Sequence, residues 1–376
     1  MNRRHWLLFW TIVSAPGVTA ATQGAETVVL RGKQAQVSIA IGGGGIIEFR
    51  FLDQQTNPLN WEISDDLGSR QHGQPYLRGH FLCLDRWGAP SASEAKNGVP
   101  FHGEAPRIMW QVLSNPQLRA DRLVTEMGCR LPLAGMTVKR TMRLDQAEAF
   151  LTVTEEVTNT NKLGRVYNMV QHPSIAPPFL DETTLVDTNA RSGFVQDETV
   201  PKSRESAASW PQLMIDGRAV NLREFKNAGP QVTGSDVTSF VFADESQFGW
   251  VTACNPRVGL LIGYLWKTTE YPWLNIWRYR YKGRVTARGL EYGTTGYHQS
   301  YPVLVKTGRI LNRPLFEYID AGGTVSKSYA VFLVKIPSDF RGVSRVSSQK
   351  GRLVLVERRK QNPRTLTLNV SRGFGE

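Results

Sequence analysis

Apolar and polar residues alternate with a period of two along much of this chain. Around residues 111–158 the alternation recurs in four segments, WQVLS, RLVTEMGCRLPL, MTVKRTMRL and AFLTVTEEVTN. Successive side chains of a strand point to opposite faces, so these segments predict antiparallel strands joined by short polar turns. One face is then apolar and packs on a core. The other carries Lys139, Arg140, Arg143 and Glu155, and it is predicted to face solvent or a cleft.

The same period predicts strands at both ends of the chain. Gln36–Ile41 and Ile46–Leu52 alternate on either side of a glycine turn, and GRLVLVERRKQNPRTLTLNV near the C-terminus predicts a basic hairpin. No segment of useful length has the helical period of 3.6 residues, and no internal repeat is present. We therefore predict an all-β fold in which residues 21–376 form one large antiparallel β-domain.

The first twenty residues have the pattern of a signal peptide. A basic start containing Arg3 and Arg4 precedes the short apolar run Trp6–Val13, and small residues end at Ala20. The apolar run is too short to span a bilayer, which leaves membrane anchorage as the weaker alternative. The sequence thus predicts export to the periplasm or the medium, and no stable membrane span.

The formal net charge is +12, but the arginines are scattered rather than gathered in one block. Together with export, this scatter argues against nucleic acid as a partner and is compatible with anionic sugars or envelope surfaces. The three cysteines, Cys83, Cys129 and Cys254, match no metal site or redox pair, and we expect buried thiols.

The segment Glu270–Gln299 combines aromatic, acidic and basic residues without a long apolar run. It predicts two strands whose ends carry side chains into a cleft, with Glu291 at the centre. There Glu291 has two interpretations of equal weight, a general base with a raised pKa or a structural partner of Arg288 or Arg278.

Two histidines complete a candidate acid/base set with Glu291. His102 lies in the constrained sequence PFHGE, and His172 follows a predicted strand and precedes Pro173. Neutral histidines and a carboxylate suit proton transfer near neutral pH. Each alone is more often structural. Because no two are close in sequence, we predict no metal site, and a glycosidase-like pair of Glu291 and Glu270 stays open.

Several tryptophans could offer flat apolar faces to a sugar ring, with Arg86 and Asn275 as partners for its hydroxyls. The alternative is that they fill the core of a large sandwich, which for any one tryptophan is the commoner case. The candidates are Trp110, Trp266, Trp273 and Trp277.

At these positions the chain resembles the galactose mutarotase-like (aldose 1-epimerase) superfamily. GVPFHGE followed by Trp110 resembles the first histidine motif of that family, and Gln171-His172-Pro173 resembles the second. Gly289-Leu290-Glu291-Tyr292-Gly293 resembles the late glutamate motif, and the order of the three agrees.

The resemblance implies that residues 21–376 form a large antiparallel β-supersandwich with a sugar cleft on its concave sheet, and that catalysis needs no cofactor. Glu291 would take the proton of the anomeric hydroxyl while His172 protonates the ring oxygen, and His102 and Arg86 would hold hydroxyls. No motif places the substrate-binding aspartate of the family, for which Asp187 and Asp244 are two candidates.

Two functions from different classes therefore compete. The first is a monomeric aldose 1-epimerase-like enzyme acting on a sugar or oligosaccharide, which could be anionic. The second is a carbohydrate-binding or polysaccharide-processing envelope protein that uses the same cleft without mutarotation. Fold alone does not decide between them.

Overall fold

The computed structural model describes residues 26–63, 70–71 and 74–375. The predicted signal peptide lies outside these residues, as does His72. Strands dominate the described chain, and every pair of named strands is antiparallel, which confirms the predicted all-β fold. No helix in this part of the chain has the length and apolar character needed to cross a membrane.

The larger of the two main sheets has twelve strands and carries the candidate site. Its order from one edge to the other is β1 (Thr27–Arg31), β2 (Ala35–Ala40), β3 (Ile46–Phe51), β6 (His80–Leu84), β12 (Met169–Ile175), β22 (Arg284–Gly293), β21 (Trp273–Tyr281), β18 (Gly234–Val241), β14 (Ser192–Val195), β15 (Ala208–Ser209), β16 (Gln212–Ile215) and β17 (Arg218–Asn221).

The second sheet has eight strands and includes the segments with the strongest alternation. Its order is β13 (Leu185–Thr188), β19 (Phe248–Asn255), β20 (Leu260–Lys267), β26 (Thr324–Lys335), β10 (Phe150–Asn159), β9 (Met136–Asp145), β8 (Arg122–Leu131) and β7 (Gln111–Arg119).

The facing sides of these two sheets enclose the main hydrophobic core. Alternate residues of both sheets fill it, for example Leu274, Ile276 and Leu290 from the larger sheet and Val153 and Ile262 from the smaller. Burial of this apolar surface is the main stabilising contribution to such a sandwich.

A third, smaller sheet covers the outer face of the eight-stranded sheet. It consists of β27 (Val343–Gln349), β28 (Arg352–Glu357) and β29 (Thr365–Asn369), so the predicted basic hairpin is β28–β29. A second apolar cluster joins it to the eight-stranded sheet, with Trp250 and Phe332 on one side and Val343 and Leu355 on the other.

Short elements fill the connections. Two short helices, which the sequence period did not predict, are α1 (Ala92–Lys96) and α2 (Tyr301–Thr307). Ser91 and Glu94 begin α1 with a capping box, a pattern that is visible in the sequence. Three two-stranded ribbons pair β4 (Arg70–Gln71) with β5 (Gln74–Pro75), β11 (Arg165–Tyr167) with β25 (Glu317–Ile319), and β23 (Arg309–Ile310) with β24 (Arg313–Pro314).

The predicted orientation of the charged positions in β9 and β10 is partly wrong. Lys139 is exposed, but Arg140 and Glu155 point into the sandwich and are 1% and 0% exposed. Arg140 Nε donates to Glu155 Oε1 at 2.7 Å, and the guanidinium lies over the ring of Trp110. The pair is tolerated inside because each charge has a partner at hydrogen-bond distance.

The outer face of the twelve-stranded sheet is the side that positions the candidate site. Loops cover much of it through two small apolar clusters, one around Phe81 and Trp87 and one around Phe194 and Trp273. Polar residues of this face therefore lie in dry surroundings although they are outside the main core.

Candidate functional site

A single row of side chains crosses five neighbouring strands on the outer face of the larger sheet. Phe81 of β6 pairs with His172 of β12, and Asn275 of β21 pairs with both Glu291 of β22 and Ser239 of β18. The β12–β22 register, with Gln171 opposite Tyr292, places His172 opposite Glu291. Directly opposed residues share a face, so the register itself brings the second histidine and the glutamate together.

Glu291 is held between an imidazole and an indole. Its Oε1 lies 3.1 Å from His172 Nε2, and its Oε2 accepts a 2.6 Å hydrogen bond from Trp87 Nε1. Glu291 and His172 are only 1% and 4% exposed. Neither Arg288 nor Arg278 pairs with Glu291, because Arg278 binds Asp236 through two hydrogen bonds and Arg288 donates to Leu222 O. The ion-pair interpretation with those arginines is therefore wrong.

Burial drives the pKa values of this pair in opposite directions. It raises the pKa of Glu291 to about 8, against the smaller lowering effect of the Trp87 hydrogen bond. It lowers the pKa of His172 to about 3. Both shifts favour the uncharged forms, since no cation offsets the loss of hydration. Near neutral pH the Glu291 carboxyl is thus protonated, the His172 imidazole is neutral, and the pair carries no net charge.

The hydrogen bonds of His172 agree with that proton position. Its Nδ1 lies 3.0 Å from Ser174 Oγ, and the Ser174 hydroxyl donates to the His172 carbonyl oxygen. With a proton on Nδ1, the Nε2 atom accepts from the Glu291 carboxyl group. Phe81 stacks on the imidazole at 4.3 Å between ring centroids and fixes its plane.

His102 reaches the same place from a loop. Its backbone has a φ of +64°, a left-handed conformation in a tight turn that continues through Gly103. A Cβ at Gly103 would lie 2.2 Å from Leu84 O, so only glycine allows the loop to approach β6 this closely. The imidazole of His102 lies 4.9 Å from that of His172 between ring centroids.

The tautomer of His102 is set by donors on one side. Gly88 N–H donates to Nδ1 at 3.2 Å, and the Cys83 thiol lies 3.1 Å from the same atom. Nδ1 is therefore an acceptor and Nε2 carries the proton as a donor. Burial, and then the nearby His172, hold the pKa of His102 well below its ordinary value. Cys83 is a buried thiol, as are Cys129 and Cys254, and all three are free.

Two residues of the site were missed from sequence. Trp87 donates to Glu291, and His298 packs on Trp87 with 3.8 Å between ring centroids. Burial, and then Arg86, lower the pKa of His298 to about 3. A Cβ at Gly88 would lie 2.3 Å from His298 Nε2, so glycine permits this contact. His298 belongs to the segment Glu270–Gln299 that the sequence singled out, which was a usable signal. The contact between Trp87 and Glu291 depends on the path of a loop, and no feature of the sequence indicated it.

The predicted sugar-binding residues fall into two groups. Trp277 lies beside the pair, 5.8 Å from His172 between ring centroids, and it also meets Trp61 edge-on at 5.5 Å. Asn275 lies in the row next to Glu291, where it accepts from Ser239 Oγ at 2.7 Å. Arg86 is close by, but its guanidinium donates to Ala89 O and Gln299 O and so fastens loops.

The other predicted aromatic contacts lie elsewhere. Trp110 is inside the main core, where Nε1 donates to Ala105 O. Trp266 is in that core as well, stacked on Tyr292 at 4.1 Å. Trp273 is fully buried in the apolar cluster around Phe194 and donates to Pro314 O. The structure does not bring these three to the histidines.

The acidic alternatives also lie away from Glu291. Glu270 accepts from Ser328 N–H and faces Lys267 at a turn. Asp187 is buried and binds Arg223, Arg358 and the Val343 amide, which ties the C-terminal sheet to the sandwich. Asp244 is exposed and pairs with Arg204 and Arg313. These partners make all three acids structural.

Among the described residues, no three His, Cys, Asp or Glu side chains are arranged so that they could hold a metal ion. What the site offers is a proton-sharing carboxyl–imidazole pair with a second imidazole donor beside it. Such a set can donate protons to, and accept protons from, two neighbouring oxygen atoms of a ligand.

Comparison with solved structures decides the fold. A galactose mutarotase-like protein from Clostridium acetobutylicum is similar with a TM-score of 0.58 at 14% identity, covering 82% of this chain and 95% of that one. The chain has the galactose mutarotase-like fold. A galactose mutarotase related enzyme from Lactobacillus acidophilus has a TM-score of 0.55 at 11% identity and covers 83% and 98% of the two chains.

A proposed aldose 1-epimerase from Escherichia coli K12 is similar as well, with a TM-score of 0.54 at 16% identity over 82% of this chain and 99% of that one. No family model and no curated protein matches the chain. The sequence resemblance is thus confirmed for the galactose mutarotase-like fold, which at this level of identity says nothing about activity.

Proposed function

We propose that this protein interconverts the anomers of a free sugar, as an aldose 1-epimerase does. The observation that carries the proposal is the 3.1 Å contact between Glu291 Oε1 and His172 Nε2 on one sheet face, in surroundings that leave one shared proton on an uncharged pair. A pair of this kind supplies both partners that ring opening needs, a base for the anomeric hydroxyl and an acid for the ring oxygen.

The reaction conserves protons at every step. When a sugar separates the pair, the shared proton moves to His172 and Glu291 becomes a carboxylate. Glu291 takes the proton of the C1 hydroxyl while His172 Nε2 gives its proton to the ring oxygen, and the C1–O5 bond breaks. Rotation about C1–C2 and reversal of both transfers close the ring as the other anomer. His102, with Nε2–H as a donor, would hold a hydroxyl or the ring oxygen.

Access to the pair requires movement of the residues that cover it. Trp87 is hydrogen-bonded to Glu291 and is itself covered by His298, and Trp61 and Trp277 flank His172. A sugar that displaces Trp87 takes its hydrogen-bonding place against Glu291. Water exclusion by these rings would strengthen the electrostatic interactions of the bound state.

A second candidate is a protein that binds sugar without turning it over. It is favoured by the amide and hydroxyl groups next to Glu291 in the row, where Asn275, Ser239 and Gln196 are already hydrogen-bonded to one another. That network would bind hydroxyls without supplying another carboxylate. In either case we propose an exported monomer that needs no cofactor.

Anomer exchange on freshly dissolved sugars separates the two candidates. Polarimetry and exchange NMR on a panel of aldoses and uronic acids should reveal catalysis by the wild type. Glu291→Gln should slow it about 10²–10⁴-fold with little change in sugar affinity, because it removes a group that acts in the transition state. Binding without acceleration on every sugar of the panel would favour the second candidate and overturn the first.

A further inference from the structure

We propose that the outer face of the β21–β22 hairpin is a binding strip for a negatively charged oligosaccharide whose reducing end lies at Glu291 and His172. The strip consists of Trp277, Tyr279 and Tyr281, with Lys282 and Arg284 at its end. The inference rests on the proposed function, and it adds the substrate class.

The aromatic part of the strip begins at the acid/base pair and runs outward. Trp277 contacts His172, and its ring lies nearly parallel to that of Tyr279, at 14° and 6.1 Å between centroids. The bulge at Tyr279–Arg280 leaves its extra residue on β22, so the alternation of β21 continues and Tyr281 shares the face. From Trp277 to Tyr281 the strand advances about 13 Å, which is long enough for more than one further sugar ring.

Accessibility increases along this strip toward the end of the hairpin. Trp277 and Tyr279 are half-buried, whereas Tyr281 is 48% exposed. A line of partly exposed aromatic side chains, unlike a single one, needs an explanation on a folded surface. Their apolar rings suit the C–H faces of successive pyranose units.

The charge around the end of the strip is uniformly positive. The segment YRYKGR, residues 279–284, contains three basic residues and no acid. Within the described chain neither Lys282 nor Arg284 forms an ion pair with a carboxylate. Arg280 lies on the opposite face, where its guanidinium packs over Phe225 and donates to Lys226 O. Lys282 lies over the ring of Tyr281 at 5.2 Å, so charge and aromatic face occur together.

These two properties select one occupant. Cations without acidic partners favour a ligand that carries negative charge, and a line of aromatic rings favours a chain of sugars over a compact anion. Because the strip is continuous with His172, a sugar chain whose terminal anomeric carbon reaches Glu291 must leave the site along some path. The strip is a path that offers both a line of aromatic rings and cations without acidic partners. Carboxylate and sulfate groups on the sugars would complement the basic end of the strip equally well.

The chain contains a matched control for the basic end. The β21–β22 turn is Lys282-Gly283 with φ values of +48° and +75°, and the β27–β28 turn is Lys350-Gly351 with φ values of +49° and +70°. The second hairpin belongs to the C-terminal sheet, on the opposite side of the sandwich. Lys350 and Arg352 are exposed there, as Lys282 and Arg284 are here.

The test compares Lys282→Glu/Arg284→Glu with Lys350→Glu/Arg352→Glu. Affinity and exchange rates are measured on trimers of galacturonic, mannuronic and sulfated sugars, on neutral trimers and on the monosaccharides. The first variant should weaken binding of the preferred charged trimer about 10-fold or more at low salt and much less at high salt. Monosaccharide exchange should be unchanged, and the control variant should behave as wild type.

The outcomes separate this inference from the proposed function. Catalysis of monosaccharide exchange with no preference for any charged trimer, or equal effects of the two variants, overturns the inference alone. Binding of a charged trimer that depends on Lys282 and Arg284, without exchange on any sugar, supports the strip and overturns the enzyme. Binding to anionic lipid vesicles in place of every trimer overturns the sugar as occupant.

Discussion

Strand β12 sends two neighbouring residues to two buried glutamates on opposite faces of the same sheet. Gln171 points into the sandwich and donates to Glu155 Oε2 at 2.5 Å, while His172 points outward to Glu291 Oε1 at 3.1 Å. Inside, Glu155 also accepts from the guanidinium of Arg140. Outside, Glu291 has an imidazole and an indole but no cation.

The difference separates a structural carboxylate from one suited to chemistry. Arg140 keeps its charge beside Glu155, because the carboxylate and Tyr329 together more than offset the burial that would lower its pKa. At Glu291 burial is opposed only by one hydrogen bond from Trp87, and the pKa rises to about 8. A full ion pair holds sheets together, whereas a carboxyl with a pKa near neutrality exchanges protons.

The largest expected effect on stability is in the inner pair. Glu155→Gln leaves the Arg140 guanidinium buried without its counter-charge, so the free energy of unfolding should fall by about 3–5 kcal/mol in urea titrations. Below pH 4.5 the carboxyl is protonated in the folded and the unfolded chain, so Glu291→Gln replaces a neutral carboxyl with a neutral amide and should change the free energy of unfolding by less than about 1 kcal/mol there.

The pH dependence sharpens this comparison. The folded pKa of Glu291 is above the ordinary value of 4.5, so the contribution of this group to stability is full below that value and is lost as pH rises to about 8. The free energy of unfolding of Glu291→Gln, relative to that of wild type, should therefore increase from pH 4.5 to about pH 8 and stay constant above it. Equal decreases in the free energy of unfolding of Glu155→Gln and Glu291→Gln at neutral pH would contradict this distinction between the two glutamates.

The strands were predictable from sequence, and the inward direction of two charges was not. Alternation located β8, β9 and β10, yet the prediction placed Lys139 and Arg140 on one face, which adjacent residues of a strand do not share. The general preference for apolar interiors gave no hint that Arg140 points inward, because its partner Glu155 is on another strand.

The site was half predictable for a similar reason. His102, His172 and Glu291 are recognisable by their order and flanking residues, and the register brings the last two together. Trp87 contacts Glu291, and His298 contacts Trp87, only through loops whose paths depend on contacts distant in sequence, such as Arg86 with Gln299 O. Trp110 and Trp273 are tryptophans like Trp277, and only the fold distinguishes core from site.

A smaller effect should come from the indole that bonds Glu291. Trp87→Phe removes the donor that favours the ionised carboxylate, so the pKa of Glu291 should rise further. A hydrogen bond to a charged group contributes about 1.5–3 kcal/mol, equivalent to about one to two pH units. The alkaline limit of kcat/KM for anomer exchange, which reports the free enzyme in which Trp87 is still in place, should move upward by that amount. Trp277→Phe, which contacts His172 but not Glu291, is the control and should leave the limit in place.

The most direct test of the central claim is a titration of the Glu291 carboxyl itself. Carbon-13 NMR on glutamate-labelled protein, with the resonance assigned by its loss in Glu291→Gln, reports the protonation of this one group. We predict a neutral carboxyl at pH 6 that ionises with a midpoint of about 8. A midpoint near the ordinary value of 4.5 would mean that Glu291 is a carboxylate throughout, and the uncharged proton-sharing pair would not exist.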